Sequence, residues 1–284
     1  MTTAIQADPQ KLRRTLEAIV GERSPFSSPS HLAVVESFVE KQLASYGLKV
    51  ESDYFSYRGE NFRNIVARSI SPRNGSLIIL GAHLDSVPGS PGADDNASGV
   101  AVLLEAARLL ARSRARLPLL FCAFNLEELN MIGSSYFAHK LKVAAVKVEA
   151  MISLEMVGYT NPKPGSQKYP FGLSAFYPDR GDFIGVIGNW SSASLLRRFS
   201  RQMSRVQELP VETLSVPGNG GLIPAVRLSD HSPFWDAGYP ALMVTDTSFF
   251  RNPHYHGSTD TLETLNVDFM AKISEGVIRG VLAL

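Results

Sequence analysis

The chain has 284 residues, of which 44% are hydrophobic and 19% are charged, so it can bury a sizeable core and lacks the composition of a disordered protein. Its 28 basic and 27 acidic residues leave a formal net charge of +1, which gives no support to nucleic acid or an anionic membrane surface as a partner. The single cysteine, Cys122, excludes an intrachain disulfide, and its place in an apolar run predicts a buried residue rather than a nucleophile.

Neither a membrane span nor a secretory signal is indicated by the sequence. No apolar stretch reaches the roughly 18 residues that a spanning helix needs. The start of the chain lacks the signal-peptide order of a basic segment, an apolar segment and a small-residue cleavage site. We therefore expect a cytoplasmic protein that does not use a membrane as partner.

The spacing of apolar residues predicts a regular series of helices and strands. In chain order these are helices at 8–20 and 31–46; strands at 49–57, 64–69 and 77–82; a helix from Val100; a strand at 117–124; a helix at 134–141; strands at 150–154 and 183–187; a helix at 194–203; a strand at 241–245; and a helix at 267–283. The stretch 159–181, rich in proline and glycine, predicts a loop. A basic run at 108–116 is expected to form the exposed end of a helix.

Strands that alternate with helices are typical of an α/β protein. We predict a three-layer sandwich with a mixed, mostly parallel central sheet and helices on both faces, and we interpret residues 1–284 as one domain. In open sheets of this kind, functional sites form at the carboxyl ends of the strands.

Potential metal ligands directly follow three of the predicted strands. The residues at the strand ends are His83, Glu127, Glu128 and Glu155, and an acidic loop and the C-terminal region add Asp95 and His256. Zinc hydrolases bind their ions through imidazole and carboxylate groups, and a spare carboxylate can serve as general base. Taken together and in this order, these residues predict a hydrolase with two metal ions.

The segments around these residues resemble metallopeptidase family 28, the co-catalytic zinc exopeptidases. That family includes leucyl-type aminopeptidases, glutamate carboxypeptidase II and the hydrolytically inactive glutaminyl cyclases. The matching segments are GAHLDSV at 81–87, PGADDNASG at 91–99, NLEE at 125–128, SLEMVG at 153–158, SDHSPFWDAGYPA at 229–241 and YHGSTDTLETLN at 255–266. The resemblance covers nearly the whole chain and implies the zinc-exopeptidase, phosphorylase-like form of the α/β sandwich.

The resemblance also implies a ligand set for two zinc ions per chain. His83 and Glu155 would bind one ion, Glu128 and His256 would bind the other, and the Asp95 carboxylate would bridge both. Two such ions, roughly 3.5–4 Å apart, lower the pKa of a shared water to near 7 and polarise the scissile carbonyl. Cobalt or manganese could occupy the same ligands.

Three further residues receive catalytic roles from the resemblance. Glu127 would be the general base, Asp85 would accept the second ring N–H of His83, and Tyr255 would stabilise the tetrahedral intermediate. The chain departs from the family pattern at Glu155, where many aminopeptidases have Asp, and at Asn130, where the motif usually continues with glycine. Because Asn tolerates positive φ, we expect the backbone turn at Asn130 to be kept.

Several functions remain open on the sequence. The leading one is an aminopeptidase acting on small peptides, because the acidic motifs favour a free α-ammonium. The alternatives are a carboxypeptidase or amidohydrolase, with Arg227 placed to bind a terminal carboxylate, a single-zinc glutaminyl-cyclase-like acyltransferase, and a metal-binding module without catalysis. Metal stoichiometry would discriminate among hydrolase, cyclase and binding module.

Three further expectations concern residues in or near the motifs. Asp94 is expected to be a loop residue without a catalytic part. His231 is expected either to line the substrate pocket or to orient its loop. The resemblance implies a cis peptide bond between Asp95 and Asn96.

Overall fold

The computed structural model describes residues 6–69, 75–111, 113, 115 and 117–284. Within those ranges the helices are α1 (Pro9–Ile19), α2 (Pro29–Ser45), α3 (Gly99–Leu110), α4 (Ile132–Val143), α5 (Ala193–Met203), α6 (His231–Ala237) and α7 (Val267–Leu282). The strands are β1 (Lys49–Tyr57), β2 (Glu60–Arg68), β3 (Leu77–His83), β4 (Leu119–Phe124), β5 (Val148–Glu155), β6 (Ile184–Asn189), β7 (Val211–Val216) and β8 (Ala241–Thr245).

These strands form one sheet in the order β1-β2-β4-β3-β5-β8-β6-β7. The four central strands β4, β3, β5 and β8 are parallel to one another. The pair β6-β7 is parallel within itself but antiparallel to β8, and β1-β2 is a hairpin whose second strand is antiparallel to β4. The prediction of a mixed, mostly parallel sheet is confirmed.

Helices cover both faces of the sheet, as predicted. The larger apolar core lies on the face covered by α1, α2, α3, α5 and α7. On the opposite face a smaller core forms under α4 and α6, which pack against β1, β5 and β8. Helix α5 covers β6 and β7 from the first face.

Local sequence signals explain where the first and last helices begin. The Asp8 carboxylate accepts hydrogen bonds from the main-chain N–H groups of Gln10 and Lys11, and Pro9 follows at the first helical position of α1. The Asn266 side chain accepts the N–H of Phe269 and caps α7. Both caps satisfy donors that a helix leaves free at its N-terminus.

The sequence prediction missed β7 and α6. Strand β7 is an edge strand whose half-exposed residues alternate weakly, so it carries little apolar signal. Helix α6 is a single short helix with Pro233 in its first turn, where proline is tolerated, and the segment was interpreted as a loop.

Two other predictions have mixed outcomes. In the predicted basic run, Arg108 lies in α3 and pairs with Glu105, while Arg112, Arg114 and Arg116 lie outside the described residues. Cys122 is buried in β4, as predicted. None of the helices in the described ranges has the length and apolarity that a membrane crossing requires.

Candidate active site

The site lies where three parallel strands end. His83 is the last residue of β3, Glu155 is the last residue of β5, and Glu127 and Glu128 follow β4 after two residues. Because β3 pairs in parallel with both β4 and β5, these ends meet at one edge of the sheet. The strands are almost fully buried, so their packing fixes the position of the polar residues at their carboxyl ends.

The predicted ligands converge into two groups that share one carboxylate. His83, Asp95 and Glu155 form the first group, and Asp95, Glu128 and His256 form the second; within each, the potential ligand atoms lie within 4.8 Å of one another.

The shared carboxylate has one oxygen for each group. Oδ1 of Asp95 lies 3.2 Å from Nε2 of His83, and Oδ2 of Asp95 lies 3.2 Å from Nε2 of His256. Nε2 of His256 lies equally close, at 3.2 Å, to a Glu128 oxygen. The Asp95 side chain therefore stands in the position of a bridging ligand.

The donor atoms of the two groups fit metal ions. Nε2 of His83, Oε1 of Glu128 and Oε2 of Glu155 are buried, and none has a hydrogen-bond partner among the described residues. Buried polar atoms are normally paired, so several unpaired atoms around common points indicate a ligand between them. Imidazole and carboxylate donors in two sets of three suit two divalent ions, zinc in particular.

The titration behaviour of the site reflects crowded acidic groups. Burial raises the pKa of Glu127 well above its ordinary value and raises the pKa of Glu128 to about 7. Burial alone would lower the pKa of His83, but the charges of Glu155 and Glu127 outweigh it and raise that pKa well above 6.5. Divalent cations bound among these ligands would have the opposite effect on these pKa values, because they favour ionised carboxyls and neutral imidazoles.

Asp85 contacts both His83 and the loop that carries Glu127 and Glu128, although not in the way that was expected. Nδ1 of His83 donates to the main-chain carbonyl of Asp85 at 3.1 Å, while the Asp85 carboxylate is 3.6 Å from that nitrogen. The two carboxylate oxygens accept the main-chain N–H groups of Glu127, at 3.0 Å, and Glu128, at 3.1 Å. The side chain of Asp85 thus fixes the loop, and its backbone fixes the imidazole.

The loop that carries Asp95 is held by the side chain of Asp260. The Asp260 carboxylate accepts the main-chain N–H groups of Asp94, at 2.9 Å, and Asp95, at 3.1 Å. The peptide bond between Asp95 and Asn96 is cis, as the resemblance implied.

Asp94 has a larger structural role than that of the loop residue that was predicted. Its buried carboxylate accepts from the Gly158 N–H, at 2.9 Å, and from the Asn252 amide, at 2.7 Å. Asp94 and Asp260 were missed as supporting residues, although both lie inside the matched motifs.

Tyr255 and four of the candidate ligands, Asp95, Glu128, Glu155 and His256, line one cavity of about 370 Å³. The ring of Tyr255 stacks on the imidazole of His256, with centroids 3.7 Å apart and planes inclined by 20°. Burial, followed by the charges of Asp95 and Glu128, raises the pKa of the Tyr255 phenol, so it stays protonated as a hydrogen-bond donor. Asn130 also lines the cavity and has φ of 75°, so the expected turn is kept.

His231 orients its loop and does not line the cavity. Its Nε2 donates to the Val226 carbonyl at 2.8 Å, and its ring packs edge-on against Trp235 with centroids 4.4 Å apart. Of the two roles left open by the sequence, the structure supports the second.

Arg227 is turned away from the metal ligands. Its guanidinium pairs with the Asp236 carboxylate at 2.6 Å and donates to the Asn219 carbonyl at 2.7 Å. Its neighbours Val226 and Leu228 line the cavity, but Arg227 does not. The side chain that the carboxypeptidase alternative would use to bind a substrate carboxylate is therefore already engaged elsewhere.

The sequence matches the model of "Peptidase family M28" over residues 64–281. A relative from Escherichia coli (strain K12), named "Uncharacterized protein YfbL", is 37% identical over 98% of this chain and 88% of its own length. "Aminopeptidase YwaD" of Bacillus subtilis (strain 168) is 26% identical over 87% of this chain, which spans 48% of that protein.

Solved structures show the same fold. LapB from Legionella pneumophila superposes with a TM-score of 0.78 at 25% identity, over 98% of this chain and 73% of LapB. Porphyromonas gingivalis glutaminyl cyclase, 22% identical, superposes with a TM-score of 0.74 over 98% of this chain and 99% of its own. The second likeness extends to the fold alone.

Proposed function

Since this chain belongs to peptidase family M28, we propose that it is a zinc-dependent aminopeptidase that removes N-terminal residues from small peptides. The observation that carries the proposal is the position of Asp95. Its two oxygens face the two separate histidines at 3.2 Å, which is the arrangement that two neighbouring ions require of a bridging ligand. We therefore assign two zinc ions to each chain.

Each ion has three candidate protein ligands. One would be held by His83, Glu155 and Asp95, and the other by Glu128, His256 and Asp95. Ions at these positions supply Lewis acidity for the scissile carbonyl and for the attacking water.

We assign to Glu127 the role of general base. Its carboxylate lies 3.9 Å from Nε2 of His83 but belongs to neither ligand group, so it is free to exchange a proton. Glu127 would take the proton from the attacking water and deliver it to the leaving amine. The bond from its N–H to Asp85 holds the carboxylate at the cavity wall while it does so.

We assign to Tyr255 the stabilisation of the charge that develops on the carbonyl oxygen. Stacking on His256 fixes its ring beside the ligands, and its phenol is protonated. A neutral donor aimed at a developing oxyanion is a common source of rate enhancement.

The charges in the site support recognition of the amino end of the substrate. Glu127, Glu128 and Glu155 line the cavity and would attract an α-ammonium group. A carboxypeptidase would need a cation there, and Arg227 is paired with Asp236 instead.

The cyclase alternative is favoured by the fold likeness alone. A single-ion site would leave one of the two ligand groups without a function, and here both groups are complete. The retained base Glu127 equally disfavours a binding module without catalysis.

The proposal is tested with zinc-loaded protein and paired substrates. Aminoacyl-p-nitroanilides with a free amine should be hydrolysed, and the same compounds with an acetylated amine should not, because the α-ammonium is lost. Equal cleavage of blocked and free substrates would support the amidohydrolase alternative. Ring closure of an N-terminal glutaminyl peptide without any hydrolysis would support the cyclase.

A further inference from the structure

The cavity continues from the metal ligands across the sheet towards the edge strand β7. Glu155 on β5 pairs with Thr245 on β8, Thr245 pairs with Gly185 on β6, and Gly185 pairs with Glu212 on β7. Residues paired in this way point to the same face, and adjacent strands lie about 4.8 Å apart, so Glu212 stands about 14 Å from Glu155 along one row. Both glutamates line the cavity.

The floor between these two glutamates is open and mostly apolar. Gly185 contributes no side chain, so it leaves space for a ligand beside Glu212. A second row runs across β8, β6 and β7. It consists of Met243, Ile187 and Leu214, which also line the cavity. Helix α4 packs against β1 and helix α6 against β5 and β8, and the residues that line the cavity include Tyr169, Pro170 and Tyr177 from the 159–181 loop.

Two tyrosines from the 159–181 loop form the wall next to Glu212. The rings of Tyr169 and Tyr177 are stacked, with centroids 5.7 Å apart and planes inclined by 27°. The Tyr177 hydroxyl donates to the main-chain carbonyl of Thr213 at 2.8 Å, which anchors the loop to β7 beside Glu212. Aromatic faces favour a cation that passes over them.

Glu212 has no cationic partner of its own. In the ranges that the structure describes, no Lys, Arg or His nitrogen lies within the 4.0 Å of an ion pair from its carboxylate. Burial raises the pKa of Glu212, and no neighbouring positive charge counters it. A carboxylate in an otherwise apolar recess is stabilised when a cation enters with the ligand.

We propose that this recess accepts the side chain of the substrate's N-terminal residue and selects lysine or arginine, with Glu212 pairing with the terminal cation. The inference rests on the proposed aminopeptidase function. The aliphatic stem of such a side chain packs on the apolar row and the tyrosines, as long cationic side chains commonly do. A neutral side chain of the same length leaves Glu212 without a partner.

Among the residues that the structure describes, Lys168 is the one lysine or arginine that lines this cavity. Its side chain is exposed, and its main chain is held between Phe250 and Gln167. Lys168 is therefore more exposed to solvent than Glu212, which is half-buried.

The test compares lysyl-, arginyl- and norleucyl-p-nitroanilide, because norleucine matches the lysine stem without its charge. The zinc-loaded protein should favour lysine over norleucine in kcat/KM by about tenfold or more, the range of a charged hydrogen bond. Glu212→Gln should remove that preference and leave norleucyl turnover within about twofold. Glu208→Gln, which alters a surface carboxylate paired with Lys272, is the matched control and should change neither value.

Calorimetry of lysine hydroxamate and norleucine hydroxamate binding tests the lysine-binding recess separately from the aminopeptidase activity. If no aminoacyl substrate is hydrolysed but lysine hydroxamate binds more tightly, and only when Glu212 is present, the recess is supported and the aminopeptidase assignment is wrong. If hydrolysis occurs with norleucine equal to or better than lysine, or if Glu212→Gln keeps the lysine preference, the recess proposal is overturned.

Discussion

Asp85 and Glu127 are joined by a hydrogen bond of 3.0 Å from the Glu127 main-chain N–H to one oxygen of the Asp85 carboxylate. The other oxygen accepts the N–H of Glu128 at 3.1 Å. One fully buried carboxylate therefore fixes the backbone of two consecutive residues, to which we assign proton transfer and metal binding. The backbone carbonyl of the same residue orients His83.

Asp85→Asn should lower kcat about 10- to 100-fold, the range seen when groups supporting metal ligands are lost. The amide replaces one acceptor with a donor, so either Glu127 or Glu128 loses its main-chain partner. Metal content and kcat are to be measured together. Asp179→Asn, in an exposed loop, is the control. Unchanged kcat in Asp85→Asn would show that the loop holds its shape without this carboxylate.

Glu127→Gln should keep the fold and both ions but lose about 10²–10⁴-fold in kcat, because the change removes the base and preserves the shape. Circular dichroism and metal analysis check the first part, and turnover at saturating zinc checks the second. Glu208→Gln serves again as the charge-matched control. Near-normal turnover in Glu127→Gln would refute its role.

His256→Ala should reduce the zinc content from two ions per chain to one. His256 belongs only to the second ligand group and is the most exposed ligand, with 37% of its side chain accessible, so its loss should leave the first group intact. Atomic absorption on dialysed protein measures the ratio. The equivalent change at the unrelated His139, an exposed residue of α4, should leave the ratio at two.

His231 should make the fold sensitive to acid. Burial lowers the pKa of His231 to about 3, against 6.5 in the unfolded chain, so the unfolded state binds the extra proton between these values. Stability from the neutral ring is present above pH 6.5 and is lost as pH falls towards 3. At pH 5 the loss is about 2 kcal/mol of unfolding free energy relative to pH 7.

The His231→Gln protein should not show this loss of unfolding free energy between pH 7 and pH 5. The glutamine amide can still donate to the Val226 carbonyl, but it does not titrate. Urea unfolding of both proteins at pH 7 and pH 5 gives the comparison. Identical pH dependence in the two proteins would mean that His231 is not held neutral.

The sequence predicted the central part of this fold well because that part is encoded by continuous apolar strands. His83 and Glu155 could be placed at one sheet edge, since each ends a buried strand of a parallel set. Strand β7 was missed because it lies at the sheet edge with mixed residues, and with it Glu212 was missed as a cavity residue. The predicted assignment to the family is confirmed.

Roles that depend on contacts with distant backbone groups were not predictable. Asp94 and Asp260 act on main-chain N–H groups and an amide far along the chain, and no local spacing indicates such partners. For Asp85 the sequence indicated the right neighbour, His83, but could not distinguish its carboxylate from its carbonyl as the acceptor.

The most direct test of the two-metal aminopeptidase is a zinc titration of metal-free protein, followed by calorimetry and by hydrolysis of leucyl- and lysyl-p-nitroanilide in the same samples. The two complete ligand groups that share Asp95 predict two bound ions per chain, with full activity reached only at the second equivalent. Saturation at one ion, or full hydrolysis at one equivalent with no change at the second, would contradict the account.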